Sequence, residues 1–284
     1  MKAVLYPNFQ KPNALGCARE VCDVLHSHGA EVSVSEEFRK DFEDKSFVVF
    51  ENISDSVRTA DFVIAIGGDG TILRCAKFLM GTDTRLLGIN TGTLGFMAGL
   101  EADQLDKLSR LITGEYEVSQ RMTLDITYHS SEGDVVYTAL NEVSARSGSF
   151  RICDFEVYSE GYLIGRYRAD GVLFSTPSGS TAYALSAGGP VIEPDLECIE
   201  MTLICPHSLF SRATLFSSGR KLRLTDKTSG GDSIVINVDG ELHISLTENE
   251  SIDICRGRHN INFVNVIGNS FHESLCRKLC RPIK

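Results

Sequence analysis

The 284-residue sequence predicts an α/β plus all-β chain: a Rossmann-like N-terminal α/β domain followed by a β-sandwich domain. Three observations carry this. Strand-like and helix-like segments alternate through residue 113, as parallel βαβ units require. Beyond that point many short strand patterns separated by turns take over, the signature of a sandwich. A last helical pattern at 270–280 has an apolar stripe (Phe271, Leu275, Leu279) that a sandwich does not need. It is therefore expected to return to the first domain. The expected boundaries are 1–98 for the α/β domain, 99–266 for the sandwich and 267–284 for the returning segment.

Taken in order, residues 2–6 read as a strand stopped by Pro7, with an apolar stretch too short for a signal peptide. Residues 13–28 have helix spacing (Leu15, Ala18, Val21, Cys22, Leu25), closed by Gly29. Residues 31–35 alternate as a strand, and within the polar stretch 36–60 another strand is expected at 47–50. The apolar run 62–66, Phe-Val-Ile-Ala-Ile, reads as a strand buried on both faces. It breaks into Gly67, Gly68, Asp69 and Gly70, and a helical pattern starts at Thr71 (Ile72, Leu73, Ala76, Leu79, Met80). A second buried strand is expected at 85–89 and a helix at 103–113. The second half predicts strands at 124–129, 135–144, 155–159, 162–167, 171–176 and 201–205. Further ones follow at 221–225, 233–238, 243–246, 251–255 and 261–266.

Charge and cysteine usage narrow the function classes. With 28 basic against 38 acidic residues the net charge is −10, which argues against a nucleic-acid partner. It also offers no footprint for an anionic membrane, and no segment approaches the ~20 apolar residues of a membrane span. Nine cysteines are scattered singly with no C-x2-C pair, so neither a zinc site nor a secreted disulfide framework is expected. A soluble, cytoplasmic protein with small-molecule ligands follows.

The strand–glycine turn–helix at 62–71 aims backbone N–H groups and a helix N-terminus at an incoming phosphate. Asp69 stands at its apex, where a general base or metal ligand is wanted. The plainer alternative is that Asp69 or Thr71 caps the helix. A second glycine-rich stretch, Asn-Thr-Gly-Thr-Leu-Gly-Phe-Met-Ala-Gly at 90–99, also follows a strand, so two such loops could face one crevice. Downstream, Asn141-Glu142 ends an apolar run, a polar pair needing partners if buried. Arg168-Ala-Asp170-Gly171 precedes an apolar strand, with a surface turn as its plainer reading. The stretch 175–190 is dense in hydroxyls and glycine, with a short helical turn at 181–185; it suits binding a sugar or phosphate, or a long surface loop.

Gly-Gly-Asp-Gly-Thr (67–71) resembles a signature shared by NAD kinases, diacylglycerol and sphingosine kinases and, more loosely, phosphofructokinases. Leu-Gly-Ile-Asn-Thr-Gly-Thr-Leu-Gly-Phe (87–96), Asn-Glu-Val (141–143), Arg-Ala-Asp-Gly (168–171) and the serine-rich stretch from 175 resemble the NAD kinase (ATP-NAD kinase) family in its proper order. The resemblance implies an ATP:NAD 2′-phosphotransferase that makes NADP. It implies Asp69 as the base for the 2′-hydroxyl of the adenosine ribose, with Gly68 and Gly70 near phosphates and Thr71 and Phe96 beside them. Asn141 and Glu142 would hydrogen-bond NAD. Asp170, Thr181, Ala182, Tyr183, Ala184, Leu185 and Ser186 would line the nicotinamide end or the matching site of a neighbouring subunit. Arg74, Arg151 and Arg168 would offset phosphate charge, and Glu241 joins the nucleotide-binding set. NAD and ATP are the expected substrates, Mg²⁺ the expected cation with unnamed ligands, and a homodimer or homotetramer the expected assembly. The competing readings are a lipid kinase sharing the glycine signature and an NAD(P)-sensing module without turnover.

Overall fold

The computed structural model describes residues 1–92, 95–130, 132–149, 151–208, 211–228, 234–246, 250–268 and 271–279. Two compact units form, Met1–Gln120 with Ile261–Lys284, and Arg121–Asn260. The expected α/β plus sandwich class is borne out, with different boundaries.

The first unit contains β1 (Lys2–Pro7), β2 (Glu31–Ser35), β3 (Val48–Glu51), β4 (Phe62–Gly67), β5 (Arg85–Asn90), β6 (Leu100–Glu101) and β7 (Glu117–Arg121). Its sheet runs β3-β2-β1-β4-β5, then the late strand Ile261–Asn265, then β7; β6 pairs with β5. Pairings from β3 through Ile261–Asn265 are parallel. In β4 every side chain from Phe62 to Ile66 is at most 3% exposed. Phe62, Ile64 and Ile66 join a core under the helix Ala14–Ser27, while Val63 and Ala65 point to the other face. Each large side chain contributes about 1.5–3 kcal/mol by burial, so Ile64→Ala would cost about 2–5 kcal/mol.

Several expectations change here. The divide expected at residue 98 lies at 120, because Leu100, Leu105, Leu108 and Leu111 seal the same core as Ala18, Val21 and Leu25. The helix expected at 103–113 is a 3-10 turn, Leu105–Leu108, running into a short helix, Ser109–Thr113. Residues 261–266, expected in the sandwich, instead extend the parallel sheet beside β5. Strands β6 and β7 escaped sequence reading: one is two residues long, and the other, Glu-Val-Ser-Gln-Arg, has no buried position. The last helix, Phe271–Leu279, belongs to the same unit, but Leu279 of its expected stripe is 48% exposed. In helix Ala14–Ser27 the buried residues are Ala14, Cys17, Ala18, Val21, Cys22 and Leu25, while Leu15 is exposed.

The second unit holds β8 (Leu124–Ser130), β9 (Gly133–Ala139), β10 (Glu142–Ser147), β11 (Cys153–Ser159), β12 (Tyr162–Ser175) and β13 (Cys198–Pro206). They are followed by β14 (Thr214–Ser217), β15 (Leu222–Asp226), β16 (Ile234–Val238), β17 (Leu242–Leu246) and β18 (Ser251–Arg256). All pair antiparallel in the order β17-β16-β10-β12-β11-β15-β18-β8-β9, with β13 on β12 and β14 on β13. β9, at one end of this path, lies against β16 near the other, so the sheet curls around one apolar core.

Two local breaks differ from expectation. Residues 162–175 form one 14-residue strand rather than two with a turn at 168–171. Ala169 and Gly171 face inward and Arg168 and Asp170 outward, and Gly171 pairs with both Arg146 and Ile204. Conversely, the single strand expected at 135–144 is interrupted at Leu140–Asn141, where Asp239 captures the backbone, as described below.

Candidate active site

In the first unit the chain leaves β1 towards β2 and leaves β4 towards β5, on opposite sides. Ligands of open α/β sheets sit at the carboxyl ends of strands where the order reverses in this way. β4 ends at Gly67, Gly68 is extended, and the helix Asp69–Phe78 begins two residues earlier than expected. Asp69 is thus its first residue, and neither Asp69 nor Thr71 caps it. The Asp69 carboxylate accepts the Phe96 N–H at 2.7 Å through Oδ2 and the Met97 N–H at 3.1 Å through Oδ1. Gly95 makes room for this: a Cβ there would lie 2.0 Å from Asp69 Oδ1. Thr71 Oγ1 accepts from Asn8 Nδ2 at 3.1 Å, tying the end of β1 to the turn. A Cβ on Gly68 or Gly70 would meet nothing within 4 Å, so the positive end of the helix lies open. Arg74, one turn further on, is exposed.

Two charged groups stand beside this turn. The Lys278 ammonium lies 4.0 Å from the centre of the Phe96 ring. Burial lowers its pKa to about 8, against the opposing pull of Asp69 and Glu101. Glu101 Oε2 accepts from Asn90 Nδ2 at 2.7 Å, on the wall of a cavity of about 440 Å³ that also includes Gly92 and Arg277. Thr93 and Leu94, inside the expected loop 90–99, fall outside the described residues. Among the described residues no group of three or more His, Cys, Asp or Glu is placed to hold a metal ion.

In the second unit Asn141 and Glu142 sit where β9 hands over to β10. Asp239, 5% exposed, holds the crossing: Oδ2 accepts from Leu140 N–H at 2.8 Å, Oδ1 from Asn141 at 2.9 Å and Glu142 at 3.1 Å. Thr176 Oγ1 donates to Leu140 O, and Thr176 N–H to Asn141 O. Gly179 presses on the same peptide, where a Cβ would lie 2.1 Å from Asn141 O. This bracing leaves Asn141 Oδ1 and Glu142 Oε2 enclosed with no hydrogen-bond partner. Burial, helped by the charge of Asp239, raises the Glu142 pKa to about 8, although the Tyr183 N–H bonded to it works the other way. A buried unpaired acceptor costs about 1–3 kcal/mol, so two side by side mark a place that a ligand's donors would complete.

The remaining candidates divide. Tyr183 reaches the Glu142 carboxyl through its backbone and lies under the Arg146 guanidinium. Ala182 and Leu185 are half-buried, Ser186 is exposed, and Ala184 packs into a small core with Leu173 and Ile204. Thr181 Oγ1 donates to Ser178 O. The hydroxyls of Ser175, Thr176 and Ser180 are fully buried and bonded within the protein, so much of this hydroxyl-rich stretch is structural. Arg168, Asp170 and Arg151 are exposed, with Arg168 Nε 3.6 Å from Asp154. Ser175 pairs with Glu142, and Asp170 lies five residues back along β12, about 16 Å away. Asp170 and Arg168, further back on the same strand, are therefore not gathered with Asn141 and Glu142. Glu241 is exposed at the turn after Asp239. Sequence reading missed Asn8, Gly95, Lys278 and Asp239 as parts of the site. Only Gly95 gave any signal, as a member of Leu-Gly-Phe.

Comparison with known proteins places the chain. The ATP-NAD kinase N-terminal domain model matches residues 4–116, and the ATP-NAD kinase C-terminal domain model matches 140–266. An NAD kinase from Citrifermentans bemidjiense is 31% identical, covering 98% of each chain. One from Caldanaerobacter subterraneus subsp. tengcongensis is 34% identical with the same coverage. Among solved structures, an NAD kinase from Archaeoglobus fulgidus in complex with ATP superposes with TM-score 0.72 at 26% identity, covering 92% of both chains. The fold also matches yeast NADH kinase complexed with NADH, at TM-score 0.90 and 24% identity over 100% of this chain and 90% of that one. By full-length sequence identity and by both domain models, the chain belongs to the NAD kinase family.

Proposed function

We infer that the chain is an NAD kinase, transferring the terminal phosphoryl group of ATP to the 2′-hydroxyl of the adenosine ribose of NAD. The observation that carries this is Asp69, a carboxylate fixed by two backbone N–H groups at the open N-terminus of a helix. An ionised carboxylate offers about four lone-pair sites, and two are used by Phe96 and Met97. The others are free to accept the proton of an attacking hydroxyl, which is a poor nucleophile until that proton leaves. The positive end of the same helix, with no side chain on Gly68 or Gly70 in the way, attracts the phosphate charge. Phosphoryl transfer asks chiefly for such positioning and charge stabilisation.

Asn141 and Glu142 hold the acceptor. Their two enclosed, unpaired oxygens suit the hydroxyl and amino donors of an adenosine. No protein-only cage for a divalent cation occurs among the described residues. We assign Mg²⁺ to the donor, carried on the ATP phosphates, whose oxygens suit a hard cation. We assign Asp170, Arg168 and Arg151 to the corresponding site of a neighbouring subunit in a homodimer or homotetramer. The exposed run Tyr162, Leu163 and Ile164 at the start of β12 supplies apolar surface for such contacts. The eight described cysteines are free, which suits a reducing cytoplasm. Incubation of the pure protein with NAD, ATP and Mg²⁺ is expected to yield NADP, measured by an NADP-specific dehydrogenase. Phosphorylation of diacylglycerol vesicles instead, or NAD binding without turnover, would overturn the reading.

A further inference from the structure

The C-terminal helix brings one cation to the turn that holds Asp69. Lys278 is half-buried, and its ammonium stands over the face of Phe96, 4.0 Å from the ring centre. Phe96 is also the residue whose N–H gives Asp69 its shorter hydrogen bond, 2.7 Å to Oδ2. Its neighbour Gly95 touches the same carboxylate so closely that no side chain fits, and Met97 supplies the second N–H. The three residues 95–97 thus form the cradle of the carboxylate, and Lys278 is the charged side chain packed on its aromatic member. The acidic groups facing that ammonium are Asp69 and Glu101, from two other elements, and Arg277 is its cationic neighbour on its own helix. Such a placement costs desolvation that a solvent-facing lysine would avoid. An aromatic face and two carboxylates together offset part of that cost, and only a cation draws on both.

We propose that Lys278 is a positioning residue for phosphoryl transfer: its charge clamps Phe96 and thereby fixes the N–H pair that orients Asp69. The proposal rests on Asp69 serving as the base. Through Lys278 the last helix of the chain controls a carboxylate more than 200 residues earlier in sequence, which gives that helix a catalytic reason to dock on the first unit. Misplacing a reacting group by about 1 Å costs on the order of 10²-fold in rate. Lys278→Met keeps the aliphatic stem but removes the charge, so kcat is expected to fall about 10- to 100-fold. The KM for NAD should move less than about threefold, because Asn141 and Glu142 are untouched. Lys278→Arg keeps a cation able to stack on Phe96 and should recover kcat to within about threefold of wild type.

The test measures kcat and KM for wild type, Lys278→Met, Lys278→Arg and Asp69→Asn, with thermal melts of each. Loss in the Met variant, recovery in the Arg variant and near-equal melting temperatures support the clamp. Full activity in Lys278→Met, or equal impairment of the Met and Arg variants, overturns it. If Asp69→Asn is inactive while Lys278→Met is fully active, the clamp alone is wrong. If Asp69→Asn turns over normally, the assignment of the base fails first.

Discussion

Asp239 is the residue on which the backbone crossing at Asn141–Glu142 depends, and replacing it with asparagine gives a quantity that can be worked from the geometry. Oδ1 accepts two backbone N–H groups, from Asn141 and Glu142, and Oδ2 accepts one, from Leu140. In Asp239→Asn the amide oxygen can keep the first two bonds, now neutral, while its NH₂ faces the Leu140 N–H. Hydrogen bonds to a charged group contribute about 1.5–3 kcal/mol and neutral ones about 0.5–1.5, so each retained bond weakens by about 1 kcal/mol. The orphaned Leu140 N–H adds about 1–3 kcal/mol. Asp239 has φ +49°, a left-handed conformation that asparagine also tolerates, so no backbone strain offsets or enlarges the sum. The total is about 3–5 kcal/mol, which for a unit of this size lowers the melting temperature by on the order of 10 °C. Thermal unfolding by circular dichroism at neutral pH measures it. A shift under about 2 °C would refute the idea that this carboxylate holds the β9–β10 crossing.

Glu142→Gln is expected to weaken NAD binding by roughly tenfold in isothermal titration run above about pH 8, where the carboxyl is ionised and makes a charge-assisted hydrogen bond that the amide cannot. The same change should reduce a pH dependence of stability: a carboxyl with its folded pKa raised to about 8 favours the fold below its unfolded pKa. That contribution disappears as pH rises through about 8, so the ligand-free Gln variant should outlast wild type in urea at alkaline pH. Gly95→Ala puts a methyl group on the Asp69 carboxylate and should lower kcat about 10- to 100-fold while the protein stays folded, as steady-state kinetics with melting controls would show. His129 bonds Asp134 at 2.7 Å and Asp253 at 2.8 Å through its two ring nitrogens. Burial alone would lower its pKa, but these carboxylates outweigh that and raise it. Its stabilisation is therefore complete below the unfolded histidine value and lost as pH rises through the folded one; urea melts across that range should lose this slope in His129→Gln.

What could be read from sequence was what local chemistry dictates. The apolar run of β4 and the glycines after it announce a buried strand and an open turn, because few other structures accommodate either. Asn141-Glu142 stood out for a similar reason, being polar at the end of an apolar run. The rest required tertiary partners. The strand pattern at 135–144 gives no sign that Asp239, about 100 residues later, breaks it by taking three N–H groups. Arg168-Ala-Asp-Gly looks like a turn, yet the alternation of Ala169 and Gly171 inward carries one strand through it. Ile261–Asn265 has the composition of any strand, and only its pairing with β5 assigns it to the parallel sheet. Lys278 lies in an unremarkable amphipathic stretch, and its relation to Phe96 exists only once the helix has docked.

The central claim is that Asp69 removes the proton from the 2′-hydroxyl while other residues bind NAD. Asp69→Asn preserves size and one hydrogen-bond acceptor for the 95–97 loop but removes the base. The decisive measurement is single-turnover formation of NADP by this variant at saturating ATP and Mg²⁺, paired with NAD affinity by titration. The account expects a rate about 10²–10⁴-fold below wild type with the Kd for NAD changed less than about threefold. A rate near wild type with unaltered affinity would contradict it.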